Sequence, residues 1–168
     1  MSHPFPGPTP RIAPASPHEP RIVPVLARIT IRSQSTWPVA ADQAGRTVLI
    51  VENEDDNRTL MEEILRLAGY RCLTARNGLE ALATFDHERP DIVLTDISMP
   101  VMDGLEEVAS IRSRSYGVAV PIVAVTAHAL GGDRESALRE GCTEYLAKPY
   151  RPRDLLAVVA RLLKEGDG

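Results

Sequence analysis

The chain has 168 residues, 43% of them hydrophobic and 4% aromatic, with a net charge of −4 and two cysteines, which fits one domain with a tail. No run approaches the roughly 20 apolar residues of a membrane span, and prolines interrupt every stretch before residue 45 that could serve as a signal-peptide core, so the expected compartment is cytoplasmic. The four histidines, His3, His18, His87 and His128, are scattered, and Cys72 and Cys142 lack CxxC spacing; they read as free thiols and small buried hydrophobes, with a disulfide as the alternative.

Residues 1–45 hold nine of the fourteen prolines and no sustained period of 2 or 3.6. Proline removes the backbone donors that regular structure needs, so this segment is expected to be a disordered Pro/Arg-rich extension. Its four arginines stand against Glu19 and Asp42, leaving it at +2 and the remainder at −6. It reads either as a basic interaction arm or as an inert extension, and its charge density is too low to argue for nucleic acid.

From Arg46 the character changes. Strand Thr47–Val51 is followed by a helix from about Asn57 to Ala68, strand Arg71–Ala75 and a helix from about Gly78 to Asp86. Strand Asp91–Thr95, a helix from about Gly104 to Ser113, strand Ile122–Val125 and a helix from about Arg134 to Glu140 come next. Strand Thr143–Ala147 and a helix from about Pro152 to Lys164 complete five βα units. Short β-branched runs alternating with amphipathic ones give a parallel sheet covered on both faces, a doubly wound α/β domain over residues 46–165. Asn77 with Glu80, and Asp103 with Glu106, have capping-box spacing. Gly69 and Gly141 fit left-handed helix stops, and Pro152 fits a first helical turn. Leu155, Val158, Val159 and Leu162 make one apolar stripe. Only residues 166–168 follow, so no output domain is expected in cis.

In such a sheet, ligands bind beyond the carboxyl ends of the strands. Strand one runs into Glu52-Asn53-Glu54-Asp55-Asp56, strand three ends at Asp96, strand four at Thr126-Ala127 and strand five at Lys148-Pro149. A carboxylate can be a phosphoryl acceptor, and phosphoryl transfer mainly requires positioning and charge neutralisation. A hard cation such as Mg²⁺ needs only one or two protein carboxylates. Lys148 offers a compact positive charge and Thr126 a hydroxyl donor, while small Ala127 keeps the approach open. Taken alone, each residue has a plainer reading: Glu54–Asp56 suit a helix start, Asp96 a turn, Thr126 a loop hydroxyl, Tyr145 a core ring and Lys148 a solvated surface. His128 reads as a bystander. Their joint placement on one rim favours a shared site.

The segments TVLIVENEDDNR, DIVLTDISMPVMDG, PIVAVTAHA and EGCTEYLAKPY resemble, in order and spacing, the signature segments of bacterial response-regulator receiver domains. The resemblance implies a flavodoxin-like fold with strand order 2-1-3-4-5. It implies Asp96 as phosphoacceptor, and Glu52, Asn53, Asp96 and the Ser98 backbone carbonyl as the Mg²⁺ site. It implies Thr126, Ala127 and Lys148 against the phosphoryl group, Thr126 and Tyr145 as switch residues, and a cis Lys148-Pro149 bond. Implied partners are a sensor histidine kinase or histidine phosphotransfer protein and a downstream protein target, without nucleic acid or membrane; a phosphorylation-dependent homodimer stays open. No external substrate would be turned over. Asn53 departs from the pattern, which has an acid there; an amide oxygen can ligate Mg²⁺ but brings no charge. That departure keeps a second reading in view, a phosphorylation-independent pseudo-receiver binding module. A phosphohydrolase would need a second carboxylate soon after its nucleophile, and Ser98 stands there.

Overall fold

A computed structural model of the chain describes residues 45–99, 104–127 and 133–166. The elements run β1 (Thr47–Val51), α1 (Asp55–Leu67), β2 (Arg71–Ala75), α2 (Gly78–Glu88), β3 (Ile92–Thr95), α3 (Gly104–Arg112), β4 (Ile122–Thr126), α4 (Asp133–Arg139), β5 (Glu144–Ala147) and α5 (Pro152–Glu165). Except for Gly45, the expectation for residues 1–45 lies outside the described residues, as do Asp103 of the second capping box and His128.

All strand pairs are parallel, in the order β2-β1-β3-β4-β5. Every residue of β1, β3 and β4 is buried, which explains their unbroken apolar runs: strands covered on both faces cannot alternate. Side-chain alternation then splits the core in two. Val48, Ile50, Leu94 and Val125 pack beneath Met61 and Leu65 of α1 and Leu155, Val159 and Leu162 of α5. Leu49, Val51, Val93 and Ala124 pack beneath Phe85 of α2, Val108 and Ile111 of α3 and Ala137 of α4.

Local chemistry sets the element ends. Glu80 N–H donates to Asn77 Oδ1 at 2.9 Å, and Glu80 Oε2 accepts from the Arg76 amide at 2.9 Å. Gly69 (φ 89°) and Gly141 (φ 109°) take the left-handed conformation that side chains disfavour. α1 begins two residues earlier than its periodicity suggests, because extended Glu54 precedes it and Asp55 and Asp56 occupy its positive first turn. No helix among the described residues is long and apolar enough to cross a membrane. Cys72 and Cys142 are free thiols, and burial pushes them up to about 11 and about 12, so both stay protonated at neutral pH.

Candidate functional site

Strand register builds the site. Val51 pairs with Thr95, so the next residues, Glu52 and Asp96, leave adjacent strands side by side at the switch point between β1 and β3. The Asp96 amide donates to the Val51 carbonyl at 2.9 Å, fixing that step. On the other side Thr126 pairs with Ala147, and the Lys148 amide donates to the Thr126 carbonyl at 2.8 Å. The ladder thus delivers two carboxylates, a hydroxyl and an ammonium to one rim. The Lys148-Pro149 bond that follows is cis.

Glu52 is fully buried and Asp96 is 8% exposed, a state that carboxylates tolerate only when paired and hydrogen-bonded. Glu52 Oε1 accepts from the Glu54 amide at 3.0 Å, and Asp96 Oδ1 from the Ser98 amide at 2.8 Å. Lys148 bridges the other two oxygens, donating from Nζ to Asp96 Oδ2 at 2.7 Å and to Glu52 Oε2. Burial pushes the Lys148 ammonium down, but those two hydrogen bonds and the charges of the two carboxylates together outweigh it and the net pKa is raised, so the bridge is cationic. Ser98 Oγ and Thr126 Oγ1 lie 3.1 Å apart, carrying the cluster to β4. Ala127, next to Thr126, is exposed.

The Asn53 amide reaches Glu54 Oε1 at 3.4 Å. Tyr145 is partly buried against the core layer under α2, α3 and α4. Oxygen donors suited to a hard cation do converge here: Glu52 and Asp96 already share one cation, the Lys148 ammonium. Among the described residues no group of three or more His, Cys, Asp or Glu side chains is placed for a metal. Mg²⁺ would therefore rest on these two carboxylates, with neutral oxygens from Asn53 and the Ser98 carbonyl, a set the ion accepts.

Sequence reasoning missed two features. Arg58 of α1 is buried and turns back under the acidic loop, donating to the Glu52 carbonyl at 2.9 Å and the Asn53 carbonyl at 3.5 Å. It also bonds the Asp55 carboxylate; that hydrogen bond, then the guanidinium charge, holds Asp55 below the usual carboxylate range. The second is Glu107, fully buried on α3 beneath the Asp96 segment, where Thr95 Oγ1 donates to its Oε2 at 2.9 Å. The helical period could have flagged it, because Gly104, Glu107, Val108 and Ile111 form one buried stripe at spacing i, i+3, i+4, i+7.

The family model of the response regulator receiver domain matches residues 48–160. The polar-differentiation response regulator DivK of Brucella anthropi is 38% identical over 104 residues, spanning 62% of this chain and 85% of DivK. Among solved structures, the receiver domain of sensor histidine kinase PA1611 from Pseudomonas aeruginosa, described with a magnesium ion in its active-site cleft, is 39% identical. It covers 72% of this chain and 99% of its own, with a TM-score of 0.68. The chemotaxis response regulator CheY4 of Vibrio cholerae is 33% identical, covering 71% of this chain and 99% of its own, also with a TM-score of 0.68. With its fold, rim and sequence in agreement, the chain belongs to the response regulator receiver domain family of two-component systems.

Proposed function

We propose that this receiver accepts a phosphoryl group on Asp96 from a histidine kinase or histidine phosphotransfer protein, and passes the signal on by protein contact. The observation that carries the reading is Lys148 Nζ bridging Asp96 and Glu52, with Thr126 held to the same cluster through Ser98. An Asp96 carboxylate oxygen attacks phosphorus, and the bond from phosphorus to the donor's nitrogen or oxygen breaks. Lys148 and Thr126 then face phosphoryl oxygens, the ammonium by charge and the hydroxyl by hydrogen bonding. Glu52, Asn53, Asp96 and the Ser98 carbonyl would hold Mg²⁺, which would supply charge neutralisation to the phosphoryl group.

The protein turns over no external substrate in this reading; its chemistry is its own phosphorylation and dephosphorylation. Phosphorylation biases two arrangements of the face made by α4, β5 and α5, with Thr126 and Tyr145 as the moving residues, and a partner protein in the cytoplasm reads one of them. The charge of −6 on residues 46–168 disfavours nucleic acid as that partner.

Intact-mass spectrometry after incubation with acetyl phosphate and Mg²⁺ tests the reading. One HPO₃ adduct on the wild type and none on Asp96→Asn is the expected result. If adducts fail to form with acetyl phosphate and also with a phosphorylated histidine kinase, the chain acts instead as a phosphorylation-independent module, the reading that Asn53 favours.

A further inference from the structure

Glu107 is a buried acid that the phosphorylation reading does not use. Its side chain has no exposure, yet only Oε2 has a partner, the Thr95 hydroxyl at 2.9 Å; Oε1 is buried without a hydrogen bond. A carboxyl left half-satisfied in a dry core is costly when charged. Its position relative to the phosphoacceptor gives that cost a consequence. Thr95 is the last residue of β3, and its Oγ1 also lies 3.4 Å from the carbonyl oxygen of Asp96. A threonine hydroxyl has a single proton to donate, so it can serve Glu107 or the Asp96 carbonyl, but not both.

We propose that Glu107 is a positioning residue for the Asp96–Ile97 peptide, acting through Thr95, because its proton sets the direction of the hydrogen bond between them. With Glu107 ionised, the Thr95 proton points at Oε2 and the Asp96 carbonyl goes without it. With Glu107 protonated on Oε2, the carboxyl donates to Thr95 Oγ1, and the hydroxyl proton turns to the Asp96 carbonyl. No bond to carbon forms or breaks; one proton enters or leaves Glu107 and one hydroxyl rotates. The peptide that responds carries the phosphoacceptor.

A second contact from the same helix reaches the same peptide. A Cβ at Gly104, the first residue of α3, would lie 2.5 Å from the Asp96 carbonyl oxygen and 2.6 Å from Ile97 Cα. The start of α3 is therefore seated directly on the peptide that Glu107 adjusts through Thr95.

Burial pushes the Glu107 carboxyl up to about 7, with the Thr95 hydrogen bond opposing the rise. Cys142, just before β5, senses the Glu107 charge; its thiol is pushed up to about 12 and stays neutral. The core layer under α3 also holds Phe85 from α2, Val93 from β3, Ala124 from β4 and Ala137 from α4, with the rings of Tyr116 and Tyr145 packed against it. Arg112, further along α3, donates to the carbonyls of Val120 and Gly141. The switch therefore rests on one carboxyl and one hydroxyl.

NMR on the full chain, without phosphodonor or Mg²⁺, tests the inference independently of phosphorylation. The Glu107 side-chain carboxyl carbon and the Ile97 amide nitrogen, which shares the Asp96 carbonyl's peptide, are followed from pH 5 to 9. Both signals are expected to titrate with one midpoint near 7. The Ile97 response should vanish in Thr95→Val and in Glu107→Gln, persist in Thr95→Ser, and leave the Glu107 carboxyl still titrating in Thr95→Val. A Glu107 midpoint at the ordinary carboxylate value would overturn the inference, as would an Ile97 titration unchanged in Thr95→Val. Should Glu107→Gln not fold, the two Thr95 variants decide alone.

Discussion

The rim sets the two formal charges of Glu52 and Asp96 against one on Lys148, and Asn53 adds none. At an effective dielectric near 20, unit charges about 4 Å apart interact by about 4 kcal/mol, so a third carboxylate in that loop is felt by any divalent cation. Asn53→Asp is therefore expected to tighten Mg²⁺ binding by about tenfold, about 1.4 kcal/mol. Calorimetric titration of both proteins reads this, and equal affinities would mean that the amide already does the carboxylate's work. Beneath the same loop, Arg58→Met leaves the Glu52 and Asn53 carbonyls without their guanidinium donor. Loss of about 2 kcal/mol of stability is expected, measured by urea denaturation, with Arg58→Lys recovering only part because an ammonium lacks the planar fork. Asp96 and Lys148 were legible because strand ends are marked in sequence, and the apolar run before each names the residue that emerges. Arg58 was not. It lies six residues past Glu52, on a helix whose visible period marks apolar burial, and nothing in spacing shows a charged side chain folding back under a loop.

The elements argue for how firmly α3 is seated. Glycine in a helix ordinarily costs roughly 0.5–1 kcal/mol relative to alanine, so Gly104→Ala would be stabilising if α3 were free. The close approach to the Asp96 carbonyl and Ile97 Cα reverses the sign, since both obstacles are backbone and cannot swing aside. We expect a net loss of about 1–3 kcal/mol and a lower thermal midpoint by calorimetry. A raised midpoint would mean that the helix lifts off the loop without penalty. The succession of strands and helices was readable at this scale because fully covered strands read as short apolar runs and helices as wider stripes. The strand order was not readable from period; it came from resemblance and is confirmed by the pairing of β1 with both β2 and β3. The first turn of α1 was misplaced because Glu54–Asp56 carry no apolar residue, and only the extended backbone of Glu54 shows where the helix begins.

For the whole molecule, the buried acid and the surface acids act on opposite sides of the pH scale. Glu107 rises from 4.5 to about 7 on folding, chiefly by burial. Between those values the folded chain holds a proton that the unfolded chain has released, so stability is greatest below about 4.5 and falls as pH rises toward 7. A shift of that size amounts to about 3 kcal/mol, a large share of a typical domain's margin of about 5–15 kcal/mol. Asp55, Asp86 and Glu88 are held low by hydrogen bonds to Arg58, Arg114 and Arg71 respectively. Their contribution is present at neutral pH and lost only as pH drops through their lowered values, and it is small because they are exposed to solvent. The Glu107 slope therefore dominates between about 4.5 and 7 and makes the fold more stable on the acid side of neutrality than at neutrality. Glu107→Gln keeps the shape and removes the titration, so its stability should stay nearly level from pH 5 to 8 where the wild type declines. Urea denaturation at pH 5, 6, 7 and 8 separates the two curves. A wild type that holds its stability across that range would show that Glu107 stays ionised in the core, and that the unpartnered oxygen is solvated by water the fold admits.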